Sequence, residues 1–508
     1  MAQKPHLTFS QIINMNVGFF GIQYSFGLQQ SAVNPIYDFL GASPDEIPLL
    51  NLAGPVTGLI VQPIIGALSD KTWHPRFGRR KPYFFIGAML CSLALFLYPF
   101  SSALWMAVGL LWILDVGNNT AMEPYRAFIA DKLNDDQRAT GFQTQSFFTG
   151  LGQTLANVSL FVFPIFFLGK TGAIPNWVFA SFFLGAICSI GTIWWSMRTT
   201  PEIPPTDDEL RHMRSTPFNL FSSFVEIGKA IGSMPKVMWQ LSLVYLFQWY
   251  GLLCYWQNSS KSEALSSYEW HVPTAAEKVT EDHFNQFRDK VKSRTEIEGK
   301  TIDESELSAM KWSEFYSQWK TDSEVTLNAE DLQRLDQVQE NSEKYESAVS
   351  WTGLVNGWYN IVTFLSAFAL VWFVKKSSPK IVHLVCLVLA GVGFVLFAFI
   401  ENKYLLFPAI TGFGIGWASM MGIPYLMVVP SIPKERYGVY MGIINMMIVI
   451  PMTLQTLTFG FVMEHWLQNN SSYAVVFAGV LLLLAAAATL LIHFKPSEGE
   501  VVLASTGH

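Results

Sequence analysis

Apolar runs long enough to cross a lipid bilayer recur along almost the whole chain. A membrane-spanning helix needs about 20 apolar residues, and lipid offers the backbone N–H and C=O groups no partner outside the helix itself. We count about twelve such runs. The pattern therefore predicts an all-α membrane protein whose spans one to twelve lie near residues 9–38, 47–68, 82–100, 103–130, 139–168, 176–197, 237–257, 348–374, 380–400, 403–429, 438–466 and 472–494.

Two hydrophilic stretches interrupt the apolar pattern and divide the chain. Residues 198–236 separate six spans from six, which is typical of a transporter built from two pseudo-symmetric halves. The predicted organisation is an N-terminal half (1–197), a cytoplasmic linker (198–236), a C-terminal half (237–494) and a tail (495–508). An insert over 258–346 joins spans seven and eight, and we expect a small helical cap or a partly mobile segment with a solvated, charged surface.

Lysine and arginine residues near the span ends set the predicted orientation. The loop SDKTWHPRFGRRKPY after span two is strongly basic, and positively charged loops stay in the cytoplasm. Counting spans from that loop places the linker and both termini inside and the insert outside. The N-terminal segment MAQKPHLTF lacks the features of a signal peptide, so we expect none to be removed, and we expect a bacterial inner (cell) membrane as the location.

Composition argues against several other classes of protein. The chain is 51% hydrophobic and only 14% charged, and the acidic excess behind its net charge of −6 lies in the insert. No basic patch interleaved with aromatic residues suggests a nucleic-acid partner. The four cysteines lie in apolar segments without disulfide or zinc spacing, and no hydrolase motif is present. We therefore predict no cofactor, no metal and no enzymatic activity.

Span four breaks the apolar pattern with a carboxylate near its middle. Asp115 is about the thirteenth residue of the span, so the helical rise places it near mid-bilayer. No Lys or Arg occupies the middle of any other span, and burial without a counter-charge favours the protonated form of an acid. We predict that Asp115 binds and releases a proton. A structural hydrogen bond to a neighbouring helix is the alternative.

Further polar residues follow Asp115 along span four. Asn119 and Glu123 stand four and eight positions beyond it and therefore share its helical face. Glu123 and Arg126 are three residues apart and can pair near the cytoplasmic end of the span. A structural ion pair is the simpler interpretation of these two residues, and a gating contact is the alternative.

Neutral polar and aromatic residues recur in the other spans and predict a wet central cavity. Side-chain amides bond hydroxyl groups in both directions, and aromatic faces cover apolar C–H patches, so the combination suits a polyhydroxylated ligand. Interhelical hydrogen bonding would explain any single amide equally well. The predicted substrate-binding residues are Gln23, Tyr24, Gln29, Gln30, Asn118, Asn119, Gln153, Gln248, Trp249, Trp256, Asn356 and Asn445.

Several segments resemble a known family. The loop GALSDKTWHPRFGRRKPY, from Gly66, resembles the signature loop of the major facilitator superfamily, and its longer form is similar to that of the sucrose transporters of plants and their bacterial and animal relatives. This branch lies close to the glycoside–pentoside–hexuronide cation symporters. The segments LDVGNNTAMEPYRAFIAD, FGLQQSAVNPIY and GVYMGIINMMIVIP are similar to helices four, one and eleven of that branch. The resemblance covers nearly all of the chain except the insert.

The resemblance implies a major facilitator fold of two six-helix halves and a proton-coupled disaccharide symporter that works by alternating access. It aligns Asp115 with the proton-binding acid of the branch and Gln29 with its helix-one glutamine. It also implies a cytoplasmic motif that holds the protein in the outward-facing state. The motif consists of Gly66, Asp70, Arg76, Gly78, Arg79 and Arg80. The implied substrate is an α-glucoside such as maltose or sucrose, and we expect a monomer in the lipid bilayer.

The chain departs from the plant pattern at two positions. Plant members carry an arginine early in helix eight that pairs with the helix-four acid, whereas Ser350 stands there in this sequence. Substrate contacts or entering water would then have to trigger proton release from Asp115. Glu123 replaces a small residue of the plant pattern.

Three other functions are compatible with the sequence. Asp115, Asn118 and Asn119 offer oxygen ligands for sodium, so a sodium-coupled carrier is one alternative, and an uncoupled sugar carrier is another. A membrane sensor or scaffold that acts through the insert is the alternative from a different class of protein. Deletion of the insert would abolish the function of a sensor but should leave a carrier active.

Overall fold

The computed structural model describes residues 4–40, 50, 52–167, 170–171, 174–215, 220–297, 310–320 and 325–493. Almost all of this part of the chain is helical, which confirms the all-α prediction. In chain order the helices are α1 (Phe9–Phe39), α2 (Ala53–Asp70), α3 (Lys81–Leu97), α4 (Leu104–Lys132), α5 (Asp135–Phe166), α6 (Asn176–Thr199), α7 (Asp207–Ser215), α8 (Leu220–Gly232), α9 (Lys236–Ser267), α10 (Ala275–Ile297), α11 (Trp312–Trp319), α12 (Ala329–Lys376), α13 (Pro379–Phe397), α14 (Leu406–Val428), α15 (Tyr437–His465) and α16 (Ser471–Thr489). Short 3-10 turns lie at Tyr98–Phe100, Lys403–Leu405, Val429–Ser431 and Lys434–Arg436, and two short strands, β1 (Lys170–Thr171) and β2 (Ile174–Pro175), pair antiparallel.

A long helix stands in the position of each predicted span, namely α1 to α6, α9 and α12 to α16. Within the described ranges, eight helical segments are long and apolar enough to cross a membrane. The other helices at predicted spans, α1, α2, α4 and α5, contain buried polar residues that lower their hydropathy. The helices that deviate most from a plain apolar span are therefore those that carry much of the candidate site. The number of membrane crossings stays a prediction.

The helices before and after the linker pack against each other along a seam. Helix α2 packs on α15, and α5 packs on both α12 and α14. Glycines allow the close approach: a Cβ added at Gly150 of α5 would lie 2.8 Å from the carbonyl oxygen of Asn360 in α12. The candidate site lies beside this seam, because α4 contacts α15 as well as α2. The predicted boundaries of the two halves and of the linker remain predictions.

The insert has a small hydrophobic core of its own. Helices α10 and α11 pack against the first part of α12, and the core consists of Phe284, Phe287, Val291, Phe315, Tyr316, Leu327 and Leu335. The sequence predicted a small helical cap or a partly mobile segment here; the described part is helical, and its role as a cap remains a prediction. Residues 298–309 and 321–324 of the insert lie outside the described residues.

The helices that flank the insert extend beyond the predicted spans. Helix α9 continues to Ser267, past the predicted end at 257, and α12 begins at Ala329, well before 348. Asn328 caps the start of α12 by accepting a hydrogen bond from the backbone N–H of Asp331. An apolar run marks only the part of a helix in lipid, so hydropathy could not reveal these polar extensions.

The linker crosses the seam as a helix. Helix α8 packs against α2 and α15 at once, and it buries Ile227 and Ala230 in the main hydrophobic core. The apolar face of α8 therefore packs on one helix that precedes the linker, α2, and on one that follows it, α15. The predicted tail, 495–508, lies outside the described residues.

Candidate functional site

Asp115 is buried between α1, α2 and α4 without a neighbouring cation. Its side chain is 1% exposed, and Oδ1 accepts a hydrogen bond from Nε2 of Gln29 at 2.8 Å. Oδ2 has no hydrogen-bond partner among the described residues, and a Cβ added at Gly54 would lie 3.8 Å from it. No Lys or Arg in the described part of the chain forms an ion pair with Asp115. The acid therefore has one oxygen that is free to carry a proton.

The two asparagines after Asp115 tie α4 to its neighbours. Asn119 donates to Oγ1 of Thr57 at 2.9 Å and accepts a short hydrogen bond from Gln62, so both of its polar groups face α2. Asn118 accepts from the Cys91 thiol at 3.1 Å, and its amide reaches Gln29 at 3.5 Å. Both side chains are buried. In this conformation they hold the helices around Asp115 together.

About two turns beyond Asn119 on α4, Arg126 joins the two sides of the seam. Its Nη1 donates to Oε1 of Glu123 at 2.9 Å and to Oδ1 of Asn445 in α15 at 3.0 Å. The guanidinium also lies 5.0 Å from the centre of the Tyr425 ring in α14. The predicted pair of Glu123 and Arg126 is therefore present, and it is buried. The structure adds a contact across the seam that would have to break when the helices separate there.

Polar and aromatic side chains continue beyond α4. Gln153 of α5 donates to Gln23 of α1 at 3.0 Å, and Asn356 of α12 accepts from the Tyr255 hydroxyl of α9 at 2.9 Å. The amide of Gln248 is fully buried, and neither of its polar atoms has a partner among the described residues. Such groups are nearly always hydrogen-bonded in folded proteins. The unpaired amide indicates where water or a hydroxylated ligand would bind.

The predicted aromatic residues of α9 meet a residue that the sequence did not single out. The rings of Trp249 and Trp256 lie 5.7 and 5.6 Å from the ring of Trp417 in α14, centre to centre. Both contacts are edge-to-face. Trp417 is 6% exposed and therefore belongs to the interior surface of this bundle.

Some predicted site residues lie apart from these contacts. Tyr24 is 1% exposed and packs into the apolar core that α1 shares with α3 and α6. Gln30 is exposed, and Arg76 is an exposed loop residue whose guanidinium lies 5.8 Å from the Phe77 ring. Ser350 lies in α12, but its side chain is outside the described part. The replacement for the plant arginine therefore stays a prediction.

The signature loop fastens α2 to the first turn of α15. Oδ1 of Asp70 accepts from the backbone N–H of Gly438 at 3.0 Å, and Oδ2 accepts from the N–H of Val439 at 2.9 Å. The first N–H groups of a helix have no partner within the helix and carry partial positive charge, so a carboxylate binds them well. Asp70 lies at the end of α2, so this contact spans the seam.

Two arginines hold the Asp70 carboxylate in place. Nη2 of Arg79 lies 3.2 Å and Nη2 of Arg80 lies 2.6 Å from Oδ1. Arg80 has no exposed side-chain surface, and it also bonds Oδ2 of Asp131 at 2.8 Å and Oγ of Ser69 at 2.6 Å. A buried guanidinium is tolerable here because carboxylates on two helices neutralise it. We name Asp70, Arg79, Arg80, Gly438 and Val439 the latch.

Glu202, after α6, binds the other side of the latch loop. Its carboxylate accepts hydrogen bonds from the backbone N–H groups of Arg79, Arg80 and Lys81 at 2.8 to 2.9 Å. Gly78 has a φ of +81°, and a Cβ there would lie 2.5 Å from Cδ of Glu202. A glycine is therefore required for both the turn and the approach of the acid.

Sequence reasoning missed four residues that the structure brings to these contacts: Thr57, Gln62, Glu202 and Trp417. Gln62 stood out weakly, as an amide beside a proline within an apolar run. Glu202 followed the last apolar residues of span six and carried no motif by itself. Trp417 read as one more apolar residue in span ten, because hydropathy does not distinguish an indole in the interior from one facing lipid.

Comparison with known families matches the two parts of the chain separately. The family model described as Major Facilitator Superfamily matches residues 15–263, and the model described as Sugar (and other) transporter matches residues 324–497. Solved structures share the fold along the whole chain. The proton:xylose symporter XylE aligns over 98% of this chain and 99% of its own, with a TM-score of 0.59 and 13% identity. FucP in the outward conformation aligns over 96% and 99%, with a TM-score of 0.58 and 11% identity.

Relatives of known function match shorter segments. The general alpha-glucoside permease of Schizosaccharomyces pombe is 27% identical over 259 residues, 47% of this chain and 45% of the permease. Sucrose transport protein SUC3 of Arabidopsis thaliana is 31% identical over 157 residues, 27% of this chain and 26% of its own. Sucrose transport protein SUT2 of Oryza sativa is 34% identical over 157 residues, 27% and 31% of the two chains. The matches thus span less than half the length of these relatives.

These comparisons agree with the geometry on the class of protein. The all-α membrane architecture and the fold of solved transporters extend over nearly the entire chain. The latch sits where the family's signature loop was recognised, and the relatives come from the sucrose and α-glucoside branch that the sequence resembles. The chain therefore has the major facilitator fold, and its two parts match the models of the major facilitator superfamily and of sugar transporters, which are families of membrane transporters and not of enzymes.

Proposed function

We propose that the protein is a proton-coupled symporter for α-glucosides such as maltose or sucrose, working by alternating access. The observation that carries the proposal is the environment of Asp115: a buried carboxyl group with one oxygen bonded to Gln29, the other unpaired, and no cation beside it among the described residues. Taking an ionised acid out of water without a partner is costly, so protonation and conformational change are coupled at this residue.

The proposed substrate class follows from the relatives and from the polar interior. The yeast relative is named for α-glucosides, and the plant relatives are named for sucrose. Unpaired amide groups such as those of Gln248 suit the hydroxyl groups of a sugar, because an amide both donates and accepts. Aromatic rings at Trp249 and Trp256 suit the apolar faces of its rings.

The proposed cycle starts from the conformation described, with the latch closed. A proton on Asp115 neutralises the site, and the sugar then binds in the central cavity. The latch and the contact of Arg126 with Asn445 next separate, and the substrate leaves on the cytoplasmic side with the proton. Coupling requires that the fully loaded and the empty carrier reorient readily while the half-loaded carrier does not.

The contacts around Asp115 favour a proton over sodium. Sodium needs several oxygen ligands close together, and the nearby amide oxygens are already bonded. Asn118 Oδ1 accepts from Cys91, and Asn119 Oδ1 accepts from Gln62. A sodium ion at Asp115 would therefore have to share amide oxygens that already accept hydrogen bonds from α3 and α2, whereas a proton needs only the free Oδ2.

The test is transport by the purified protein in proteoliposomes. We expect maltose or sucrose added outside to alkalinise the external medium, and an imposed proton gradient to drive accumulation of the sugar. Asp115→Asn, which resembles a permanently protonated acid, should lose accumulation but keep exchange of labelled for unlabelled sugar. Asp208→Asn, in the exposed start of α7, is the matched control and should behave as wild type.

Unchanged accumulation by Asp115→Asn, or accumulation that follows a sodium gradient instead, would refute proton coupling at this residue. A variant that lacks the helices of the insert distinguishes a carrier from a sensor. Replacing its cap, α10 and α11, by a short linker should leave transport intact, and a loss of all function with normal sugar binding would favour the sensor.

We also propose that both termini face the cytoplasm, as the basic loop before α3 indicates, and that the carrier acts as a monomer. Labelling of single cysteines introduced at Lys4 and at Lys278 of the insert, from one side of sealed vesicles, tests the orientation. A bacterial cell membrane remains the expected location, although the relatives reported above come from yeast and plants.

A further inference from the structure

Three indole rings form one continuous wall inside the C-terminal part of the bundle. Trp249 and Trp256 are seven residues apart on α9, which is two helical turns, so their side chains share one face. Trp417 from α14 makes an edge-to-face contact with each of these rings and so connects them. The wall therefore extends about 10 Å along α9 by the 1.5 Å rise per residue.

Two of these indoles bury an N–H group that has nothing to bond. Nε1 of Trp249 and Nε1 of Trp417 have no hydrogen-bond partner among the described residues, and each side chain is 6% exposed. Buried indole N–H groups normally find an acceptor. Gln248, the neighbour of Trp249 in the chain, also leaves both of its amide atoms unpaired.

Other tryptophans of the chain show what satisfied indoles look like. Nε1 of Trp351 donates to the carbonyl oxygen of Lys403 at 3.1 Å, and Nε1 of Trp358 donates to Oγ1 of Thr411 at 2.9 Å. Trp195 likewise donates to the side chain of Asn14. The unpaired N–H groups at Trp249 and Trp417 are thus not a general feature of tryptophans in this fold, and they need a ligand with acceptor atoms.

We propose that Trp417 sets the selectivity of the site for disaccharides over monosaccharides. This inference rests on the proposed function and deepens it. A single pyranose ring can pack on one indole, whereas two linked rings need an apolar surface that continues from Trp249 to Trp256. Trp417 supplies that continuity. The C–H faces of the two sugar rings pack along the wall, and ring hydroxyl oxygens accept from the free indole N–H groups.

The test compares ligands of one and two rings on purified protein, with binding measured by calorimetry. Wild type should bind maltose more tightly than methyl α-glucoside. Trp417→Leu should raise the Kd for maltose about ten-fold or more and the Kd for methyl α-glucoside less than three-fold. Trp417→Phe keeps a ring but removes the N–H, so its loss of maltose affinity should be smaller and should again spare methyl α-glucoside.

The matched control is Trp358→Leu, which removes an indole that is 38% exposed and outside the wall, and it should leave both affinities unchanged. Equal losses for the two ligands in both Trp417 variants, or no loss in either, would overturn the inference. If Trp417→Leu fails to fold, the Trp417→Phe comparison decides alone. Wild type that binds neither ligand would instead refute the proposed substrate class, so the two failures can be told apart.

Discussion

Gly66 of α2 and Gly438 of α15 pack backbone against backbone beside the Asp70 carboxylate. A Cβ added at Gly66 would lie 2.2 Å from the carbonyl oxygen of Gly438, and a Cβ at Gly438 would lie 2.3 Å from that of Gly66. No Cβ atom approaches a backbone oxygen so closely in a folded protein. The two helices can come near enough for Asp70 to reach the first turn of α15 only because both positions lack a side chain.

We therefore predict that Gly66→Ala and Gly438→Ala open the latch. The added methyl group forces α2 and α15 apart and lengthens both hydrogen bonds of Asp70, so the bundle opens more often at this end. The measurement is the labelling rate, by an impermeant maleimide, of a cysteine placed at buried Val439 in a background without the native cysteines. Gly109→Ala is the control, because nothing lies within 4 Å of its added Cβ. Labelling that stays at the wild-type rate in both latch variants would contradict the prediction.

A second prediction concerns Glu123 and Arg126. Glu123→Gln leaves the Arg126 guanidinium buried without a counter-charge, which typically costs about 3–5 kcal/mol of unfolding free energy. Asn445→Ala removes only a neutral partner of the same guanidinium and should cost about 1 kcal/mol. Thermal unfolding of the purified protein in detergent, followed by intrinsic fluorescence, measures both changes.

The double variant Glu123→Leu with Arg126→Leu checks the cause. Removing both charges together should restore most of the thermal stability, because no unpaired charge remains, although transport should stay impaired. A double variant as unstable as Glu123→Gln would show that the two residues do not act as a charge pair.

Glu202 provides a third prediction, on the loop that carries the latch arginines. Glu202→Ala removes the acceptor for three backbone N–H groups at the start of α3, and loss of such a cap costs about 0.5–2 kcal/mol. We expect lower thermal stability. We also expect faster labelling of the cysteine at Val439, because Glu202 no longer holds the backbone of Arg79 and Arg80 in place. Glu209→Ala removes a comparable capping acid from the exposed α7 and should affect neither measurement. Slower or unchanged labelling in Glu202→Ala would count against this role.

The insert yields a prediction on pH. Asp331 is buried, which opposes ionisation, but hydrogen bonds from His283 at 2.9 Å and Thr280 at 2.7 Å hold the pKa of its carboxyl below the usual value. An acid whose pKa is lower in the folded than in the unfolded state stabilises the fold above the unfolded value, near 3.9, and this contribution is lost as the pH falls through the folded pKa. Asp331→Asn should therefore destabilise the insert at pH 7.

Hydrogen exchange in α10 measures that effect locally. Exchange should be faster in Asp331→Asn than in wild type at pH 7, and after correction for intrinsic rates the difference should shrink as the pH is lowered below about 4. Asp289→Asn, which changes an exposed acid of α10, is the control. A difference that persists unchanged at low pH would mean that the ionised carboxylate is not what stabilises the insert.

The sequence was most informative where one physical requirement dominates. Hydrocarbon thickness dictates apolar runs, so a long helix stands at each predicted span, whereas α10 in the polar insert has no apolar run to mark it. A lone carboxylate in such a run pointed to Asp115. The pairing of Glu123 with Arg126 followed from their spacing along one helix. Contacts between distant segments left no such trace: the N–H of Val439 that binds Asp70, and Trp417 between two indoles of α9, depend on which helices become neighbours.

Helix α12 runs without interruption from the hydrophobic core of the insert to Lys376, a rod of about 72 Å at 1.5 Å per residue. One end belongs to the cap and the other packs on α5 at the seam between the two groups of helices. If α12 moves as a rigid rod, a tilt of the cap also tilts the surface that lines the seam. We expect an antibody fragment that clamps α10 to α12 to slow transport, although it binds away from the candidate site.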